Sequence, residues 1–375
     1  MPLPRRAVRE LVSDQHGGLN YARLRAEGVA PEEVLDFSVN SNPFGPPASV
    51  GEALTRVAIS RYPDPKAGLL RERLAALHGV PPAHVRVTNG TAEAIWLLAL
   101  AYLEPGDPVL ILGPTFGEYR VASEIAGAQP HLLCSQEEKH FQPDPDALVD
   151  RISALQPRLV WLCNPNNPTG VYLKEDGVRA LLTACERAGS LLIVDEAYVN
   201  FVASAWDSVR LLDSGHLVIL RSMTKDFALA GLRLGYVLGS GETVGALGKV
   251  QPPWSVNGAA QVAGLAALDA LDEYREAWRR LRVLADEFYR MLGGRGLTVF
   301  PSATHFFLIR TGNGDRAREE LWRERILVRS CRSFGLPAHI RVATRFPEEN
   351  ERLALALHRF VGGSEAGNPK TLLGG

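Results

Sequence analysis

The sequence predicts an α/β architecture, a large domain built on a mostly parallel sheet covered by helices on both faces, plus a smaller α+β domain. Three observations predict it. Between about residue 66 and residue 240, short apolar runs each end in small or polar residues. Segments with apolar residues at helical spacing separate them, the alternation that produces buried parallel strands. After Pro252 and Pro253 the alternation stops and a long Ala- and Leu-rich stretch begins.

Taken in chain order, "VRVTNG" from Val85 is the first clear buried strand, and "TAEAIWLLALAYL" from Thr91 is the helix that follows it. "PVLILG" from Pro108 and "RLVWLCNP" from Arg158 are the next strands. "KEDGVRALLTACERAG" is a helix stopped by Gly189. "LLIVDEA" from Leu191 and "HLVILRS" from His216 complete the set. Residues 256 to 293 read as one long helix or two consecutive ones. "THFFLIR", "ILVRSC" and "HIRVATR" are then three strands, with helices around "REELWRER" and "EENERLALALHRFV". The expected organisation is an arm and part of the small domain over 1–44, the large domain over 45–255, a linking helix and small domain over 256–361, and a mobile tail over 362–375.

At 375 residues the chain exceeds a typical single domain, and 46% hydrophobic with 22% charged residues is ordinary for a globular protein. Lys and Arg number 41 against 42 Asp and Glu, so no global charge excess favours nucleic acid or an anionic membrane. Cys134, Cys163, Cys185 and Cys331 have neither metal-ligand nor disulfide-framework spacing, which points to a reduced, cytoplasmic protein without a metal. The first residues hold no apolar stretch of a secretory signal, and nothing approaches the ~20 apolar residues of a membrane span.

Asp195 follows "LLIV", so its carboxylate ends a buried strand and needs a cation or a proton. Lys225 stands just beyond the next apolar run. Alone, the first would be a cap or an ion pair and the second a surface charge. Together, at adjacent strand ends of an α/β sheet, they suit pyridoxal 5'-phosphate, the carboxylate pairing with the pyridinium and the lysine forming the Schiff base. Gly90, Thr91 and Ala92 form a strand-to-helix turn with N–H groups for a phosphate. Ser222 adds a hydroxyl and Arg233 a guanidinium. "CNPNNPTG" is a rigid turn whose Asn167 offers an amide to the cofactor's ring oxygen.

The set "NPNNPTG", "DEAY" and "SMTKDFALAGLRLGY" resembles the fold-type I aminotransferase superfamily, class I/II, over residues 10 to 361. The resemblance implies Lys225 as the Schiff-base lysine and Asp195 as the pyridinium partner. It implies Asn167 and Tyr198 on the ring oxygen, Gly90, Thr91, Ala92, Ser222 and Arg233 on the phosphate, and Phe116 stacked on the ring. Tyr62 would reach the phosphate of a neighbouring subunit's cofactor, since the superfamily builds its sites at a homodimer interface.

"QHGGLNY", "LDFSVNSNPFGPP", "PPWSVNGAA" and "ILVRSCRSFGLPAHIRVATR" look more like the threonine-phosphate decarboxylase branch, with the histidinol-phosphate aminotransferases as near relatives. That likeness implies His16, Gly17, Asn40, Asn167, Arg329 and Arg341 as substrate contacts, with Arg332 as an alternative to Arg329. A small phosphorylated amino acid carries roughly three negative charges, in proportion to two arginines, a histidine and backbone N–H groups. An intact Lys225, Asp195 and Arg233 argue against a non-catalytic relative.

Overall fold

The computed structural model describes residues 2–11 and 16–365. A seven-stranded sheet forms its centre, built from β2 (Val85–Thr88), β3 (Pro108–Gly113), β4 (Gln129–Cys134), β5 (Leu159–Cys163), β6 (Leu191–Asp195), β7 (Leu217–Ser222) and β8 (Gly235–Leu238), after a short β1 (Leu35–Asp36). The strand order is β2-β8-β7-β6-β5-β3-β4, with β8 antiparallel to both its neighbours and the other pairs parallel.

The continuous apolar runs are explained by alternation across the sheet. Leu110, Val160, Leu192, Val194 and Ile219 enter one core. Val109, Ile111, Trp161, Ile193 and Val218 enter the other. Asp195 ends β6 in register with Cys163 of β5 and Leu220 of β7, so polar groups gather at one edge, beyond the strands' carboxyl ends.

The stretch after the two prolines is two helices, Gly258–Asp269 and Leu271–Gly294. The C-terminal sheet has the order β12-β13-β10-β9, from β9 (Thr298–Val299), β10 (Phe306–Arg310), β12 (Arg329–Ser330) and β13 (His339–Ala343). β11 (Ile326–Leu327) pairs in parallel with β1, and Phe37 packs among Phe288, Phe307 and Val342. The N-terminal segment is thereby joined to the C-terminal sheet. The final helix spans Pro347–Glu365 and so runs past residue 362, where the expected tail begins. Phe360 and Val361 pack on the C-terminal core, and Gly362 simply continues the helical turn, without the positive φ that would end it. Residues 366–375, where the rest of the expected tail falls, lie outside the described residues.

Candidate active site

A cavity of about 430 Å³ lies beyond the carboxyl ends of the central strands. Its floor comes from Asp195, Ser222 and Lys225, and its sides from Thr91, Ala92, Phe116, Asn167, Tyr198 and Arg233. The N-terminal segment contributes His16, Gly17 and Asn40, and the C-terminal sheet Arg329 and Arg341. Fourteen sequence-predicted residues thus converge. Gly90 begins the helix Gly90–Tyr102 behind Thr91. Tyr62 stands outside, 80% exposed, its ring 4.7 Å from that of Trp254.

Period-2 alternation sends Asp195 toward the cavity. The next residue, Glu196, is buried in an ion pair with Arg221 at 2.7 Å. Asp195 accepts the Tyr119 phenol at 2.7 Å and the Ala197 N–H at 3.1 Å. Burial pushes its carboxyl up to about 6, although these hydrogen bonds pull downward. A carboxylate so desolvated gains from a cation placed against it.

Lys225 sits on a loop fixed from three directions. Asn42 N–H donates to the Lys225 carbonyl at 2.9 Å. Trp278 Nε1 donates to the Asp226 carbonyl at 2.8 Å, and the Tyr274 hydroxyl to that of Phe227 at 3.0 Å. Burial, followed by the positive charges of Arg341 and Arg233, lowers the lysine to about 8, favouring the neutral amine a nucleophile needs.

The phosphate-binding prediction has a physical basis in Gly90. Its φ is +72°, and a Cβ there would stand 2.9 Å from Arg233 Nη2. A Cβ on Gly235 would stand 2.8 Å from the Thr91 nitrogen. Two glycines therefore let a guanidinium and a helix N-terminus approach closely, an anion cradle of fitting chemistry. Ser222 Oγ lies within the cavity wall, 2.7 Å from Thr224 Oγ1.

Arg329 and Arg341 are register partners on adjacent antiparallel strands, 4% and 5% exposed. Arg341 donates to Asn167 Oδ1 and to the Ser38 carbonyl. Arg329 donates to the Ser330 carbonyl at 2.8 Å and Ser333 Oγ at 2.7 Å. Two buried like charges thus stand side by side on adjacent strands, an arrangement that favours an anion in the cavity they line. Arg332 is turned away in an exposed ion pair with Asp315, so of the two alternatives Arg329 faces the cavity.

Sequence reasoning missed Tyr119, Glu118 and Ser38, which also line the cavity. Glu118 and Tyr119 begin the helix Glu118–Ala126, just after Phe116. Their position at a strand-end loop beside a predicted ring-stacking residue was the available signal.

An open α/β sheet with a lysine, a buried carboxylate and an anion cradle at its carboxyl edge defines a cofactor-dependent enzyme. The sequence matches the aminotransferase class I and II family over residues 32–357, and the chain belongs to that family. Its cofactor is pyridoxal 5'-phosphate. The chain is 36% identical to threonine-phosphate decarboxylase of Salmonella typhimurium, over 94% of this chain and 98% of that protein. It is also 36% identical to histidinol-phosphate aminotransferase of Symbiobacterium thermophilum, over 88% and 91%. Among solved structures it resembles L-threonine-O-3-phosphate decarboxylase from Porphyromonas gingivalis, with a TM-score of 0.78 and 27% identity, covering 88% of this chain and 100% of that one. Among the described residues no helix is long and apolar enough to cross a membrane.

Proposed function

We propose that the protein decarboxylates L-threonine O-3-phosphate to (R)-1-aminopropan-2-ol O-2-phosphate and CO₂, the reaction used in cobalamin synthesis. The observation that carries this reading is the facing pair Arg329 and Arg341, two buried cations on adjacent strands that both line the cavity. A small substrate with a carboxylate and a phosphate matches two cavity-lining guanidinium groups in charge and in hydrogen-bond geometry. The extent of the match to the Salmonella decarboxylase, which takes in nearly all of both chains, supports it further.

When bound, pyridoxal phosphate supplies an electron-accepting ring in conjugation with the substrate nitrogen. Asp195 would hold the proton at the ring nitrogen, and Asn167 and Tyr198 would offer hydrogen bonds to the ring oxygen. Gly90, Thr91 and Ala92 N–H groups, Ser222 and Arg233 would hold the phosphate, and Phe116 would cover the ring face. Asn40, whose buried amide makes no hydrogen bond of good geometry within the protein, turns its donor and acceptor to the substrate with His16 and Gly17. The Cα–carboxylate bond breaks, CO₂ departs, and Lys225 delivers a proton to Cα. Tyr62, highly exposed on the outer face, reaches the phosphate of a second copy's cofactor in a homodimer.

A second reading, transamination of histidinol phosphate with 2-oxoglutarate, is favoured by the equal identity to the Symbiobacterium aminotransferase. Purified protein incubated with O-phospho-L-threonine should release CO₂ without forming glutamate. Glutamate formation from histidinol phosphate and 2-oxoglutarate, with no CO₂ from phosphothreonine, would refute the decarboxylase reading.

A further inference from the structure

Two stretches of chain that supply cavity residues are bridged to each other twice. One runs from Asp195 to Asn200 and brings Asp195 and Tyr198; the other runs from Arg221 to Asp226 and brings Ser222 and Lys225. The first bridge, Glu196 to Arg221 at 2.7 Å, lies where β6 and β7 end. The second lies beyond the strands, where Asn200 Nδ2 donates to Asp226 Oδ2 at 2.5 Å.

Asp226, next in sequence to Lys225, is 3% exposed. A carboxylate so buried is costly unless hydrogen bonds meet its oxygens. Burial pushes its carboxyl up to about 7, against the downward pull of the Asn200 hydrogen bond. The other oxygen, Oδ1, accepts the Phe227 N–H at 2.9 Å, and the Asp226 carbonyl accepts Asn42 Nδ2 at 3.2 Å. On the opposite side, Asn200 belongs to the 3₁₀ turn Val199–Phe201 that Tyr198 opens. Phe201 N–H donates to the Tyr198 carbonyl at 3.1 Å, and Arg282 Nη1 to that of Asn200 at 3.3 Å. So tight a turn moves as a unit, and displacing Asn200 displaces Tyr198.

We infer that Asp226 is a positioning residue which, through Asn200, fixes the spacing between the Lys225 amine and the Tyr198 hydroxyl, an inference that rests on these two meeting the cofactor as proposed above. On a pyridoxal ring the oxygen lies beside the carbon that bears the lysine nitrogen, so the two atoms share a proton. A tyrosine hydroxyl donating to that oxygen draws charge from it and loosens its hold on the proton. Once Tyr198 drifts away, the proton is held more tightly and leaves at a higher pH. The bridge at Glu196 and Arg221 sits on the strand side of both residues and does not span them.

The test follows the absorbance of the holoenzyme against pH, without substrate. It compares wild type, Asn200→Leu, Tyr198→Phe, the combination of those two, and the exchange of Asn200→Asp with Asp226→Asn, which keeps one amide, one carboxylate and the net charge. Arg233 and Arg341, whose charges also bear on Lys225, are present throughout, so differences in midpoint report the pair. Asn200→Leu should raise the midpoint by about half a pH unit. It should add nothing to Tyr198→Phe, and the exchange should bring the midpoint back toward wild type. A midpoint unmoved or lowered in Asn200→Leu, even with a reduced Tm, would make the pair merely structural and overturn the inference. So would a further rise on top of Tyr198→Phe, or an exchange that folds and keeps the raised midpoint; if the exchange does not fold, the combination with Tyr198→Phe decides. Borohydride reduction and peptide mass mapping of wild type come first, and a label away from Lys225 would remove the assignment on which the inference rests. No substrate enters these titrations, so their outcome is separate from whether phosphothreonine is decarboxylated.

Discussion

The Tyr119 phenol and the Asp195 carboxylate, 76 positions apart in the chain, meet in a buried 2.7 Å hydrogen bond. The phenol is held in place by its ring, stacked on Trp161 at 4.9 Å with an 11° tilt. Tyr119→Phe keeps the ring and removes the bond, leaving Asp195 with the Ala197 N–H alone. A hydrogen bond to a charged group contributes about 1.5 to 3 kcal/mol, so kcat should fall on the order of tenfold to a hundredfold with KM little changed. Steady-state kinetics against pH will show it. A wild-type profile would make Tyr119 a core residue only.

Asp195 also sets a stability prediction for the cofactor-free protein. Its folded pKa of about 6 lies above the ordinary aspartate value, so folding favours the protonated form. The resulting cost is absent below about pH 4, grows through the interval to about 6, and is fully present above it. Two units correspond to about 3 kcal/mol. Cofactor-free Asp195→Asn should therefore melt higher than wild type near pH 8 and equally near pH 4, while the cofactor-loaded variant turns over far more slowly. Thermal melts of both proteins at the two pH values are the measurement. A lower Tm for the variant near pH 8 would contradict the assigned burial cost.

Lys225→Ala should abolish turnover while the cradle at Gly90 and Arg233 still retains the cofactor non-covalently. Borohydride reduction followed by mass measurement should fix the cofactor to the wild type and not to the variant. Residual activity near the wild-type level would remove Lys225 from the chemistry.

Gly90→Ala places a methyl group 2.9 Å from Arg233 Nη2 at a backbone φ of +72°. The strain of about 1 to 2 kcal/mol falls on the phosphate cradle, so cofactor affinity should drop about tenfold. Equilibrium dialysis reads this directly, and unchanged affinity would mean the phosphate is held elsewhere.

Arg341→Ala should leave the cofactor spectrum intact and reduce kcat/KM for phosphothreonine at least a hundredfold, since a buried charged donor is lost. Arg332→Ala, whose guanidinium is committed to Asp315 at the surface, should stay within about twofold of wild type. Reversed outcomes would show that the loop carries the other arginine into the site.

The buried strands were legible because each is apolar on both faces, and their polar terminators marked the cavity. β4 was not, because Gln129–Cys134 mixes exposed and half-buried residues, with no fully buried one, at the sheet's edge. β8 is only four residues long and antiparallel, so it lacks the crossover helix that announces a parallel strand. Asp195, Lys225 and Arg233 stood out by lying where a polar group needs a reason. Tyr119 did not, because an aromatic residue in an amphipathic helix reads as core whether or not its hydroxyl reaches a carboxylate on another strand. Glu118 was hidden similarly, since an acid in a helix's first turn already has a local explanation. The choice between Arg329 and Arg332 depended on where a two-residue strand ends: Arg329 lies on β12, whereas Arg332 already opens the 3₁₀ turn Arg332–Phe334, a boundary too local for the apolar pattern to encode.

The grip of Arg341 on the Ser38 carbonyl joins nearly opposite ends of the polypeptide, and this orders events during synthesis. The central sheet is complete once β8 has left the ribosome. Arg329 and Arg341 are made only after the two long helices and part of the C-terminal sheet. A nascent chain therefore carries Asp195, Lys225 and the Gly90–Arg233 approach before it carries either Arg329 or Arg341, and the link from Arg341 to Ser38 is among the last contacts it can close.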